Sequence, residues 1–472
     1  MISKERNIES IELLIKEQAG ILNEVRNTKA YKTVEGYHFL KEKKGINKIQ
    51  NAKKVLNHIC GQPNGEITAL DPLETVFRLQ NEIEVQLEQE ALNLHEYVGV
   101  ISILEKIWEA KSSGSGVISI FAPYEEINRP DGYSRRIKNI DDLLEKQMLR
   151  VYISKNTGGN DSLPVCSVEA ENYISVKYNS FNREQCSFIA LIAHLTGIAY
   201  IHSVYQAALP VARDKNIIKL YDFHGVVPEE LMLMGKSKEA EYYTELESGV
   251  VQNSDYIIVA NYAMEKHIES KYSDCKAEFI IFPMNNDDNN FYMDIEEKEE
   301  KRILKPIVIY SGGLQKWQLI SEMQDAIEKM RNKCEFHLFV SEPNEFIKLW
   351  GDREAPEKWE VTTKTPKELI EEYISAQYGF VLRDDIVVNN VACPTKIIDY
   401  IKYNIIPIMK TPQIGDFKRY GLRYLSIDDF LEGNFPAEEE RVKMCKKNQE
   451  ILGKILEEYK LGREKIKSIL MS

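Results

Sequence analysis

The chain is short of cysteine, lacks any long apolar run and has no surplus of positive charge, and each shortage removes a class of function. Its seven cysteines, Cys60, Cys166, Cys186, Cys275, Cys334, Cys393 and Cys445, are scattered through 472 residues, with an odd total and no CxxC pair. That usage fits a reducing compartment and argues against a disulfide scaffold or a cysteine-ligated zinc site. No stretch reaches the roughly 18 consecutive apolar residues that a spanning helix needs. The net charge of −13 and a pI of 5.4 argue against a general affinity for nucleic acid, because phosphate backbones are held by basic surfaces. Met1–Lys16 interleaves charges with its apolar positions, so no signal peptide is expected there. The expected location is the cytoplasm, with peripheral attachment at the inner face of the membrane left open.

What is present is a change of texture along the chain. Residues 1–111 read as a charge-rich helical region, with Ile8, Ile11, Leu14 and Ile15 at helical spacing and Leu79, Ile83 and Leu87 repeating it. The lysines between Lys41 and Lys54 read as a solvated helix face; the alternative is a contact with acidic lipid head groups. Ser112–Gly116 (SSGSG) is a linker by composition. Beyond it, strand-like and helix-like segments alternate, which predicts doubly wound, mostly parallel sheets. Strands are predicted at Val117–Ala122, Leu149–Ile153, Tyr173–Val176, Ile198–His202, Ile217–Phe223 and Tyr256–Ala260, then at Ile307–Tyr310, Glu335–Val340, Gln377–Leu382 and Ile405–Met409. An acidic, Asn-rich segment, Asn285–Arg302, separates the two sets. The fold class is therefore α/β, with two Rossmann-like domains facing across a cleft and a helical region before them. The expected boundaries are 1–111, 117–290 and 303–435, followed by C-terminal helices over 436–472.

Five stretches carry candidate chemistry. Asn390–Met409 (NVACPTKIIDYIKYNIIPIM) opens a helix at Pro394-Thr395-Lys396, and free N–H groups at a helix start suit phosphate. Asp399, one turn on, is a carboxylate suited to ribose hydroxyls. Gly312 and Gly313 follow a strand and let a ligand approach the backbone, with Lys316 in reach of a phosphate; an ordinary βα turn is the plain alternative. Arg383 ends a strand at the sheet edge where α/β folds place ligands, and its competing reading is a pairing with Asp384 or Asp385. His224 ends the strand Lys219–Phe223 before Gly225, and His202 ends the preceding one; a satisfied core or turn histidine is the bland reading of either. After the first strand, Gly132, Arg135 and Arg136 form a glycine-containing basic loop, read either as a phosphate or acceptor loop or as a plain helix start.

The run from Arg383 through Asn389, Asn390 and Pro394-Thr395-Lys396 to Asp399 resembles the donor site of retaining glycosyltransferases of the GT-B fold, specifically a Pro-Thr-Lys subgroup of family 4. The resemblance covers about residues 117–470. It implies transfer of a sugar from a UDP- or GDP-linked donor to a hydroxyl acceptor, with retention and without metal or other cofactor. It implies donor contacts from Gly312, Gly313, Asn390, Pro394, Thr395, Lys396 and Asp399. Catalytic roles fall to His224, Arg383 and Lys316, and the acceptor or phosphate loop to Gly132, Arg135 and Arg136. The C-terminal helices are expected to cross back to the first domain. One departure stands out. The family often carries a first carboxylate eight positions before the second, where this chain has Val391; Asp384, Asp385, Asn389 or Asn390 would have to stand in.

The expected partners are a nucleotide sugar and a glycan, lipid-linked or polymer acceptor, with homo-oligomer formation open and no nucleic acid. The expected setting is synthesis of a bacterial surface polysaccharide, wall polymer or glycolipid. Two other classes compete: a catalytically silent GT-B-like scaffold, and another GT-B enzyme such as a nucleotide-sugar epimerase.

Overall fold

A computed structural model of the chain describes residues 94–127, 129, 132–156, 164–284 and 305–471. The chain divides into two units, Met1–Ile101 and Ser102–Ser472, and the second holds both sheets. The helices expected over residues 1–93, the basic stretch Lys41–Lys54 and the polar segment Asn285–Arg302 lie outside the described residues.

The first sheet contains β1 (Val117–Phe121), β2 (Leu149–Lys155), β3 (Val165–Ala170), β4 (Tyr173–Tyr178), β5 (Ile198–His202), β6 (Ile218–Phe223), β7 (Tyr256–Val259) and β8 (Glu278–Ile281). Their order is β3-β4-β2-β1-β5-β6-β7-β8. Every neighbouring pair is parallel except the β3–β4 hairpin. Strands covered by helices on both faces must be apolar on both, which is why VISIF of β1 is buried throughout. Two cores result. One face gathers Phe121, Val151, Ile153, Ile189 and Val250, the other Ile118, Ile120, Tyr152, Tyr200 and Ile258. The edge strand β3 was not expected from the sequence, because its side chains are mostly exposed and carry no apolar pattern.

The second sheet contains β9 (Ile307–Gly312), β10 (Glu335–Val340), β11 (Trp359–Thr362), β12 (Tyr378–Val381), β13 (Ile406–Met409) and β14 (Leu425–Ser426). The order is β11-β10-β9-β12-β13-β14, all parallel. The strand order reverses between β1 and β5 in one sheet and between β9 and β12 in the other. At such switch points the crossovers leave a crevice outside the carboxyl ends of the strands. Gly312 ends β9 and Arg383 follows β12, so both stand at the second crevice; His202 ends β5 at the first.

A helix from Glu438 to Leu470 binds the two halves together. At about 1.5 Å per residue it is roughly 50 Å long. Cys445 enters one core of the second sheet and Ile451 and Ile455 the other. Further along, Tyr459 stacks on Phe282 at 4.9 Å, and Ile466, Ile469 and Leu470 enter the first sheet's core. The helix passes the β8 end so closely that a Cβ on Gly462 would lie 2.3 Å from the Ile281 carbonyl oxygen.

That contact separates two glycines of one helix. Nothing lies within 4 Å of a Cβ built on Gly453. Gly453→Ala is expected to stabilise the chain by up to about 1 kcal/mol through helix propensity. Gly462→Ala is expected to lose about 1–3 kcal/mol by overpacking against backbone. Urea denaturation midpoints of the two variants check the opposite signs.

Candidate functional site

The second-sheet crevice is built on Gly312. Its φ of +155° favours glycine, and a Cβ built there would lie 2.9 Å from the Lys396 Nζ, so the bare backbone stands against the end of the lysine side chain. Lys396 lies in the first turn of the helix Thr395–Lys402, whose start no side chain caps. Ile397, Ile398 and Ile401 anchor that helix in the core, which turns Lys396 inward. There the Nζ donates to Gln318 Oε1 at 3.0 Å and sits 4.2 Å from the centre of the Tyr310 ring.

Arg383 is buried beside it. Its Nη1 donates to Asn389 Oδ1 at 3.3 Å, while its Nε is buried with no partner. Neither Lys396 nor Arg383 makes an ion pair with a carboxylate among the described residues. The adjacent carboxylates are engaged elsewhere: Asp384 pairs with Lys410 at 2.6 Å, and Asp385 accepts from Asn390 Nδ2 at 2.7 Å. Burial and the nearby Arg383 charge hold Lys396 well below the usual lysine range. Burial likewise lowers Arg383, to about 10. Two desolvated cations without a counter-charge are expensive, a cost that the lowered Lys396 reduces and that an anion brought in from outside would offset.

The other candidates of this stretch lie on the same loops and helix. Asp399 is half-buried one helical turn beyond Lys396. Val391, where the related pattern has a carboxylate, is buried in the first sheet's core, and its carbonyl accepts from Asn261 Nδ2 at 3.0 Å. Of the four stand-ins, Asp384 and Asp385 are held as above, and Asn389 is fully buried with its amide donating to the Asp384 carbonyl at 2.9 Å. Asn390 alone keeps a buried oxygen, Oδ1, without a partner. Gly313 meets only the flexible Gln315 side chain.

Lys316 is placed differently from the phosphate contact expected of it. It is exposed, and its Nζ donates across to the Leu233 carbonyl at 3.0 Å, at the end of the helix Val227–Leu233. Arg136 also departs from the loop reading. Its guanidinium is buried and forks onto Asp222, Nε to Oδ2 at 2.8 Å and Nη2 to Oδ1 at 3.0 Å, with Nη1 donating to the Phe282 carbonyl. It is therefore a floor residue of the first sheet, out of reach of a ligand phosphate. Arg135 is half-buried, and Gly132 is exposed with nothing near a built Cβ, so no close approach requires glycine there.

Asp222 continues a chain toward the first crevice. It accepts from the Tyr200 hydroxyl at 2.6 Å, and that hydroxyl lies 2.8 Å from His202 Nδ1. Because the single Tyr200 proton goes to Asp222, His202 Nδ1 carries a proton and Nε2 is the bare acceptor. Nε2 is buried without a partner, and burial pulls His202 well below the usual histidine range. The His224 ring lies 5.2 Å from that of His202, and Tyr133 packs edge-on to both. Sequence reasoning named His224 but missed Tyr200 and Asp222, which read as ordinary strand residues. Their signal is polarity at carboxyl ends of apolar strands.

The two halves meet beside this site. Asp416 accepts from the Tyr262 and Ala263 amides at 3.0 and 2.9 Å, and Asn261 donates to the Val391 and Ala392 carbonyls.

No family model matches the chain, and no curated protein matches it in sequence. Solved structures do match. HepE from Anabaena, in complex with UDP and glucose, superposes with a TM-score of 0.52 at 9% identity, covering 75% of this chain and 100% of that one. A glycosyltransferase from Rickettsia africae gives 0.49 at 13% identity, covering 75% and 98%. A trehalose-6-phosphate protein from E. coli bound with UDP-2-fluoro glucose gives 0.48 at 11%, covering 75% and 99%. The chain has a GT-B-like fold.

The floor and the surface are expected to respond differently to loss of a carboxylate. Asp222→Asn leaves Arg136 buried without its counter-charge and is expected to cost about 3–5 kcal/mol. Asp384→Asn removes a partly exposed pairing and is expected to cost under about 1 kcal/mol. Guanidinium denaturation of both variants checks the contrast.

Proposed function

We propose that the chain is a glycosyltransferase that moves a sugar from a nucleotide diphosphate sugar to a hydroxyl acceptor. The observation that carries this reading is the Lys396–Arg383 pair, buried and without a carboxylate at the switch point of the second sheet. Breaking the bond from sugar to diphosphate builds negative charge on the leaving group, and fixed buried cations stabilise charge where it develops. The free N–H groups at Thr395 add to them. In this reading Asp399 accepts the ribose hydroxyls, and Asn390 Oδ1 takes the place of the carboxylate absent at Val391.

The first sheet supplies the other side. His224 faces the donor sugar, and His202 Nε2 is an acceptor for a hydroxyl proton, held in that tautomer by Tyr200 and Asp222. Lys316 joins the halves through Leu233 rather than binding phosphate. HepE, of like fold at a TM-score of 0.52, was solved with UDP and glucose, which supports a uridine nucleotide as the first donor to try. Retention and independence from metal follow from the family 4 resemblance. A role in building a bacterial surface polysaccharide, wall polymer or glycolipid is the setting that resemblance favours.

Thermal melting against UDP, GDP and their sugars tests the donor half. A ligand at about 100 times its dissociation constant adds about 2.7 kcal/mol of stability. One diphosphate is expected to raise Tm clearly, with Asp399→Ala and Lys396→Met each reducing the shift strongly. No shift across the panel, or one unchanged in both variants, contradicts the assignment. His224→Ala is expected to slow sugar transfer while leaving nucleotide affinity within about twofold, a change of roughly 0.4 kcal/mol. Equal losses in both would make it a structural histidine.

A further inference from the structure

A cluster of metal-ligating side chains lies outside both crevices, at the outer edge of the second sheet. His337 of β10 and Glu360 of β11 are register partners in parallel strands. Such partners project from the same face on strands about 4.8 Å apart. The helix Pro366–Ser375 brings Glu372 to the same place. One ligand atom from each of the three lies within 4.8 Å of the other two, and all three residues are partly buried.

A cation already stands between the two carboxylates. The Lys364 ammonium, on the turn between β11 and that helix, pairs with Glu372 Oε1 and with Glu360 Oε1 at 3.2 Å. The other Glu372 oxygen, Oε2, lies 2.8 Å from His337 Nδ1. An ammonium is a donor only, so it engages the carboxylates and makes no use of an imidazole lone pair. A divalent ion of the zinc class engages all three, because imidazole nitrogen and carboxylate oxygen are both its ligands. Magnesium and calcium favour oxygen alone. Two ligands about 2.0 Å from a tetrahedral ion stand about 3.3 Å apart. The His337–Glu372 contact therefore opens by about half an ångström to admit the ion, and the more exposed Glu360 side chain closes on it.

We propose that His337, Glu360 and Glu372 form a site for one divalent ion of the zinc class, with Lys364 as a tethered cation that the ion displaces. The lysine side chain is partly exposed on its turn, so its ammonium returns to water without moving the backbone. A water completes the four ligands. The ion ties the edge strand β11 and the helix Pro366–Ser375 to β10. Its role is structural. β10 lies two strand spacings, about 10 Å, from β12, the strand that leads to Arg383. His337 also sits three residues before the carboxyl end of β10, out of reach of the crevice.

The probe is zinc chloride, titrated by calorimetry into the full chain and into His337→Ala, Glu372→Gln and Lys364→Met, with magnesium chloride as the comparison. Zinc is expected to bind the wild type and raise its Tm, and magnesium to do neither. His337→Ala and Glu372→Gln are each expected to weaken the tightest zinc binding at least about tenfold, since even an outer partner of a metal ligand is worth that much. Lys364→Met is expected to melt lower without zinc, to bind zinc severalfold more tightly than the wild type, and to recover its Tm when zinc is added. Glu372→Gln keeps the side-chain shape and carries the test should His337→Ala fold poorly. No zinc binding in either the wild type or Lys364→Met overturns the site, and leaves Lys364 an ordinary ion-pair partner. Zinc binding equal in all four chains overturns it by placing the ion elsewhere. Magnesium binding as tight as zinc overturns the role of the imidazole.

Discussion

Two buried basic side chains with no carboxylate opposite them are the constraint on which the proposed donor half depends. Proteins rarely keep a buried lysine beside a buried arginine unless something compensates. Here the fold puts both there for separate reasons. The amphipathic helix Thr395–Lys402 must bury its isoleucines, which carries Lys396 under the sheet edge. Arg383 is the first charged residue after the apolar run of β12 and is held by Asn389. Gly312 makes the room, and Tyr310 gives the ammonium a π face in place of a carboxylate.

The first half solves the opposite problem. Its buried arginine, Arg136, is fully compensated by a forked pairing to Asp222, and the surplus acceptor capacity of that carboxylate orients Tyr200 and then His202. One half thus holds uncompensated positive charge, while the other holds a neutral, tautomer-fixed imidazole. An anionic leaving group and a neutral hydroxyl fit those two environments respectively. The halves are joined where their chemistry meets. Asn261 ties a helix start to the loop before Pro394, Asp416 ties the same start to the segment after β13, and the long C-terminal helix enters the cores of both sheets.

Much of this was legible in the sequence because it follows from periodicity. The apolar strands, the polar segment between the sets, and the turn-helix-strand of Pro394–Met409 each have a local signature. The strand Glu335–Val340 was placed to the residue. Four strands were not placed from the sequence: the edge strand β3 and the two-residue β14, which have no apolar pattern of their own, and the four-residue β8 and β11. Among site residues, Lys396 was marked by its motif, whereas Tyr200 and Asp222 acquire their meaning only from partners 22 and 86 residues away. Arg136 was misread for the same reason. A basic residue after a glycine looks like a surface loop until its carboxylate is seen.

The central claim is that an anion completes the Lys396–Arg383 pair, and it has a direct signature in protons. A lysine held well below its usual range is neutral in the free chain over pH values at which an ordinary lysine is charged. A diphosphate beside it favours the charged form, so binding must draw a proton from solution. Calorimetric titration of the bound nucleotide diphosphate, in buffers of different ionisation enthalpy, measures that uptake. The account predicts net proton uptake at mildly alkaline pH that vanishes in Lys396→Met. Binding with no proton uptake in the unmodified chain, or uptake that persists in Lys396→Met, would contradict it.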